Sequence, residues 1–218
     1  MRFLNATMAS VLLTLSMLST LSMASSANEG LLAIQHEWAE INYSELEGDD
    51  KVDALLTLAS KAEALVKQAP EAAEGYIWLG IVQSTTAGAQ GGIGALKYAK
   101  AAKKSFEKAL RLDETALQGS AMTSLGVLYH KVPGWPIGFG SDKKAEMLLT
   151  KALSLNSDGI DPNFFYAEYL FDEREYDKAM MYLAKAESAA PRPDRLLADN
   201  GRHAEIKQLK EKIQAKMN

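Results

Sequence analysis

The 218-residue chain has no cysteine, three histidines and six prolines. Without thiols there is no disulfide, no cysteine nucleophile, no thiolate metal site and no N-terminal cysteine to carry a lipid. An exported location is still open, because long exported domains build adequate cores without disulfides. His36, His130 and His203 fall in separate segments, none with the ligand spacing of an H-E-x-x-H helix. A G-x-S-x-G nucleophile elbow is missing. The Gly91-Gly92-x-Gly94 cluster has neither the preceding strand nor the Lys-Ser/Thr of a phosphate-binding loop. Positive charge is also in short supply: the net charge is −4, which gives no general attraction to nucleic acid or to an anionic membrane. Neither catalysis nor a metal or cofactor is expected.

The first 27 residues read as an address. Met1-Arg2 is followed by an apolar stretch, Ala6–Met23, interspersed with Ser and Thr. Ser22-Met23-Ala24 and Ser25-Ser26-Ala27 both offer small residues at the −3 and −1 positions of a signal-peptidase site. A membrane anchor would need about 20 strongly apolar residues. A cleaved signal peptide over 1–27 and a single domain over 28–218 are therefore expected. Cleavage removes Arg2 and no acid, so the charge falls from −4 to −5. No later segment is apolar enough to span a bilayer, and a periplasmic, membrane-free mature protein follows.

From Leu31 onward apolar residues recur at helical spacing, as in Leu31, Ile34, Trp38 and Ile41, or Val52, Leu55, Ala59, Ala62 and Val66. Turn signals separate these runs, and Asp161-Pro162 marks a strong helix start through its capping carboxylate and first-turn proline. The spacing predicts helices near 31–44, 50–69, 71–87, 95–112, 115–131, 142–155, 162–174, 176–189 and 202–216. No run alternates as a strand would.

A repeat lies on these helices. Ala102–Phe106–Ala109, Ala145–Leu149–Ala152 and Ala179–Leu183–Ala186 share a small–large–small spacing, and the last two are 34 residues apart. Small residues let the second helix of a pair approach the first, and the large one fills the groove. Leu79-Gly80 and Leu125-Gly126 supply the matching first-helix pair, and Pro191 closes the last repeat. Residues 71–191 thus resemble tetratricopeptide repeats. That predicts an all-α helical-hairpin solenoid of about four pairs with a C-terminal capping helix. The pair over 31–70 is degenerate, with Leu58 and Leu65 at the small positions.

Two repeats carry insertions, both at the turn inside a helix pair and so on one edge of the stack. The first includes Gly88–Gly94. The second runs from Lys131 through Trp135, Pro136, Ile137 and Phe139 to Gly140. Insertions gathered on one face often mark a binding face. These apolar side chains either line a pocket or meet a partner, or the second loop folds back and plugs its own helix pair. Ile93, Lys131, Trp135, Ile137 and Phe139 are therefore binding candidates, as are Asn163 and Tyr166 after the Asp161-Pro162 start. The segment Ala190–Arg202 adds Arg192, Arg195 and Arg202. Arg–Asp pairs tying a loop to the stack are one account of these arginines, and a carboxylate-binding site is the other. Lys97, Lys100, Lys104, Lys108 and Arg111 form a stripe that a solvated helix face explains.

Pro133-Gly134-Trp135-Pro136-x-Gly138-Phe139-Gly140, then Asp161-x-Asn163-x-Phe165-x-Ala167-Glu168-x-Leu170, then Pro191-Arg192-Pro193 resemble the T-component family of tripartite ATP-independent periplasmic (TRAP) transporters. The resemblance implies a periplasmic helical-repeat protein assembling as a homotrimer with a transporter substrate-binding subunit, and an apolar channel for a hydrophobic small molecule. It transfers no residue-level binding set. Lacking a cysteine to acylate, the chain departs from lipid-anchored members, and a freely soluble protein is expected. The competing function is a periplasmic protein–protein scaffold in envelope assembly, holding an extended peptide in the repeat groove.

Overall fold

The structure is a computed structural model that describes residues 28–217. The expected signal peptide lies outside these residues. Among them the chain forms helices α1 (28–42), α2 (Gly48–Gln68), α3 (Ala73–Gln90), α4 (Ala95–Leu112), α5 (Ser120–Lys131), α6 (Asp142–Leu155), α7 (Ile160–Asp172), α8 (Tyr176–Glu187) and α9 (Leu196–Met217). The helices pack as successive hairpins, α3 on α4, α5 on α6 and α7 on α8. Ile34, Trp38 and Ile41 of α1 share a cluster with Leu55, Leu58 and Ala62 of α2. The odd helices also touch one another in series, α3 to α5, α5 to α7 and α7 to α9. One wall of the stack is therefore built from first helices only. The expected solenoid of four pairs and a terminal helix is the observed architecture.

Side-chain size sets the hairpin seams. Ala102, Phe106 and Ala109, Ala145, Leu149 and Ala152, and Ala179, Leu183 and Ala186 are all buried, none more than 1% exposed. The facing helix is cut back to receive the large residue. A Cβ on Gly80 would stand 2.5 Å from the Phe106 ring, and one on Gly126 would stand 2.8 Å from Leu149 Cγ. In the degenerate first pair the sizes are exchanged. Leu58 and Leu65 are buried around Ala62, and Gly30 supplies the space, since a Cβ there would stand 3.2 Å from Leu65 Cδ1. Ala59 and Val66, expected on the buried face, are only half-buried. The buried stripe of α2 runs through Val52, Leu55, Leu58, Ala62 and Leu65, which leaves Ala59 and Val66 at its edge.

Helix ends differ from expectation at three places. α3 continues to Gln90, so Gly88, Ala89 and Gln90 of the first insertion extend a helix; the connection is Gly91–Gly94, and Gly91 and Gly92 take φ of +61° and +55°, a conformation in which side chains are strained. α5 begins at Ser120, five residues later than expected. Leu117, Gln118 and Gly119 are all left-handed there, with φ of +46°, +55° and +81°, after a turn in which Asp113 Oδ1 accepts the Thr115 N–H at 2.7 Å. α9 begins at Leu196, six residues early, after a short turn at Pro193–Arg195.

That early start closes the stack. Ala198 of α9 is buried in the same cluster as Trp38 of α1. The Gly201 backbone lies so close to Tyr43 that a Cβ would stand 2.3 Å from its ring. His36 Nε2 is 2.6 Å from the Asp194 carbonyl oxygen. The first and last helices thus meet, and the odd-helix wall bends round a half-open space.

Candidate functional site

The space is a half-open cavity of about 1500 Å3, lined by all five odd helices, by the start of α4 and by both insertions. Trp38, Trp78, Ile81, Leu96, Val127, Leu128 and Phe165 give it an apolar wall. The tryptophans are fixed relative to each other: Trp38 meets Trp78 edge-to-face at 5.8 Å, and the Trp38 indole N–H donates to Thr85 Oγ1 at 2.9 Å. Hydroxyl side chains of α5, Ser120, Thr123 and Ser124, interrupt the apolar surface. The left-handed residues Leu117 and Gln118 also border it.

One end of the cavity is ionic. Asp161, at the start of α7, accepts from Arg192 Nη1 at 2.7 Å and from Arg202 Nε at 3.0 Å. Asp199 accepts the Arg192 Nε–H at 2.7 Å and the Arg192 backbone N–H at 2.7 Å. Glu205 pairs with Arg202, whose guanidinium also lies 4.5 Å from the Phe164 ring and 4.4 Å from the Phe165 ring. Burial pushes the Asp161 carboxyl up, and the guanidiniums of Arg202, Arg192 and Arg195 outweigh it and hold the group at about 2. Glu205 shifts the other way, raised by burial. Of the two accounts of the arginine segment, Arg192 and Arg202 satisfy the first: they tie the closing segment to α7.

Arg195 does not. Among the described residues it forms no ion pair and its Nε–H has no hydrogen-bond partner, while its guanidinium lies 4.9 Å from the Trp78 ring at the cavity wall. Two more polar atoms on that wall are buried without partners among these residues, Trp78 Nε1 and the Tyr43 hydroxyl. Asn42 approaches the Tyr43 hydroxyl without completing a hydrogen bond, and burial pushes that phenol up to about 12.

The insertions divide. Ile93 and Ile137 border the cavity and are 90% and 66% exposed. Trp135 is also 90% exposed but lies outside the lining, on the outer surface of the loop. Phe139 folds back, edge-to-face on Tyr129 at 5.7 Å, and plugs its own helix pair. The loop is compact because the Gly140 N–H donates to the Pro133 carbonyl at 3.0 Å and the Ser141 N–H to the Tyr129 carbonyl at 2.8 Å, an approach that leaves no room for a side chain at Gly140.

Three other candidates are placed differently from expectation. Lys131 borders the cavity, but its ammonium is taken by Asp172 at 2.7 Å and Glu168 at 3.4 Å. Asn163 is fully buried and donates to the Ser157 and Gly159 carbonyls at 2.8 Å, so it shapes the turn before α7. Tyr166 points to the opposite side of α7 and packs edge-to-face on Tyr182 at 4.8 Å. Both belong to packing because the residues one face of α7 presents to the cavity, Pro162 and Phe165, alternate with those it turns to α8.

No family model and no curated protein matches the sequence. Among solved structures, a thermophilic TPR protein of Thermus thermophilus is 20% identical with a TM-score of 0.52, over 87% of this chain and 95% of that one. The fold is of the tetratricopeptide-repeat type. At that identity the likeness speaks for architecture alone, and it accords with the seam packing of Gly80 and Gly126.

Within this tetratricopeptide architecture, several residues central to the cavity carry no binding signal in the sequence. By spacing, Trp38 is a core-face residue like its neighbours, Trp78 has no distinguishing pattern, and Asp161 is a helix start. A usable signal is present in Asp161: a helix-start carboxylate and a cluster of arginines 31–41 residues later are candidate charge partners. Among the described residues, no group of three His, Asp or Glu is placed to hold a metal ion, and no helix is long and apolar enough to cross a membrane.

Proposed function

We propose that this chain is a non-catalytic periplasmic binding protein that holds an apolar or amphiphilic small molecule inside the tetratricopeptide stack. One observation carries it: a half-open cavity of about 1500 Å3 with two tryptophans in its wall, formed where α9 returns to α1. An ordinary small-molecule pocket is roughly 300–1,000 Å3, so the space suits an elongated occupant. The resemblance to TRAP T-components supplies the finer setting. There the protein works beside a transporter substrate-binding subunit, as a homotrimer, and the exposed Trp135 and Ile93 are apolar side chains placed to meet a partner.

A second reading, a scaffold for an extended peptide, is favoured by Ser120 and Ser124, hydroxyls suited to hydrogen-bond a peptide backbone along α5. Native mass spectrometry of the protein purified from periplasm separates the two. A retained small molecule, released on denaturation, is the expected result. A bound protein or peptide with no small molecule would favour the scaffold.

A further inference from the structure

The arginine that takes no part in closing the stack has chemistry left to use. The three acids at the ionic end are committed: Asp161 to Arg192 and Arg202, Asp199 to Arg192, and Glu205 to Arg202. Arg195 lies beside this network with no carboxylate of the described residues in contact and a buried Nε–H without a partner among them. Guanidinium stays charged at any ordinary pH, and a buried donor without an acceptor is costly. The group is also held in place. The Arg195 backbone N–H donates to the Arg192 carbonyl at 2.8 Å, the turn is tied to α1 through His36 and Asp194, and the guanidinium rests on Trp78. Trp78 and Tyr43 add further unpartnered donors to the same wall. Donors are in excess here, and an apolar surface continues from them.

Building on the ligand-cavity reading above, we propose that Arg195 receives the oxyanion head group of an amphiphile whose hydrocarbon body lies against Trp38, Trp78 and the apolar wall beyond. The guanidinium is a rigid planar fork of N–H donors, the match for two oxygens of a carboxylate or a phosphate. Arg192 and Arg202 cannot do this without releasing the acids that close the stack. The division of labour among three arginines in one segment is thus two for closure and one for ligand.

The test uses isothermal titration of the full mature protein with laurate, monododecyl phosphate and 1-dodecanol, which share a chain and differ in head group. The expected result is that an anionic probe binds roughly ten- to a hundredfold more tightly than the alcohol. In Arg195→Gln that advantage disappears while dodecanol affinity is unchanged. A tighter laurate assigns the carboxylate, and a tighter dodecyl phosphate assigns the phosphate; either supports the site. Equal binding of alcohol and anions overturns the role of Arg195 and leaves the cavity reading standing. An anion preference that survives Arg195→Gln overturns it as well. If no probe binds, both fall. Should Arg195→Gln lose its helical circular dichroism, Arg195→Lys keeps the charge without the fork, and a several-fold loss of the anion advantage is then expected; no loss would overturn the proposal.

Discussion

The hairpin seams and the ionic end wall hold the same stack by opposite means. At the seams, Phe106 and Leu149 enter spaces left by Gly80 and Gly126, and Leu183 is fully buried. At the end wall, Asp161, Arg192, Arg202, Asp199 and Glu205 are drawn together where α9 returns to the rest of the molecule. Seams gain stability from area removed from water and from contact density. A buried ion network gains little net stability over apolar packing, and its strength is in penalising wrong arrangements. The solenoid is therefore specified by size, and its closure by charge.

That contrast predicts which losses are large and which depend on pH. Phe106→Ala removes a fully buried ring opposite Gly80, and a cost of about 3–5 kcal/mol is expected. Urea denaturation should give the same penalty at pH 7 and pH 5, since Phe106 packs within an apolar cluster; a penalty that changes with pH would break the comparison. Asp161→Asn leaves two guanidiniums facing a neutral amide, each with one acid remaining. A cost of about 2–3 kcal/mol is expected at pH 7, somewhat below that of breaking a fully enclosed pair.

The seams are legible in the sequence and the closure is not, for a physical reason. A seam is local: the small–large–small spacing and the Leu-Gly pair sit within one repeat, so Ala145, Leu149 and Gly126 can be matched by spacing alone. Closure joins Asp161 to Arg192 and Arg202, and α9 to α1, across most of the chain. Composition shows that Arg–Asp pairs are available without showing which arginine is left over. The cavity wall is hidden for a related reason, because a core tryptophan and a cavity tryptophan have the same helical spacing. At the insertions the edge is readable, but Trp135, Ile137 and Phe139 point three different ways from one short loop, and apolar composition alone cannot separate them.

Gly126→Ala sharpens the seam half of the comparison. The new methyl would stand 2.8 Å from Leu149 Cγ and 3.3 Å from the Ala145 carbonyl oxygen, so α5 and α6 must move apart. About 1–3 kcal/mol is expected, and combining the change with Leu149→Ala should recover part of it; strict additivity would show that the two do not meet. Acid titration sharpens the other half. The folded Asp161 carboxyl sits at about 2, below its usual 3.8, so its contribution is present above about pH 4 and is lost as pH falls toward 2. Its side chain keeps 27% of its surface open, which reduces the contribution to about 1–2 kcal/mol. The stability difference between wild type and Asp161→Asn should shrink across that window; a constant difference would mean that charge is not what Asp161 supplies.

The smallest expected effect tests the loop between these two regimes. Trp135 is 90% exposed and belongs to neither the cavity lining nor the core, so Trp135→Ala should change unfolding free energy by less than about 0.5 kcal/mol. Phe139→Ala, in the same loop, removes a ring packed on Tyr129 and should cost measurably more. If the two variants destabilise equally, Trp135 is buried in solution by something this chain meets, and analytical ultracentrifugation should then show the wild type as an oligomer and Trp135→Ala as a smaller species. If only Phe139→Ala destabilises and assembly is unchanged in both, the outward tryptophan is available to a different partner. An apolar loop of this kind carries its packing role on the ring that turns inward and any recognition role on the ring that turns out.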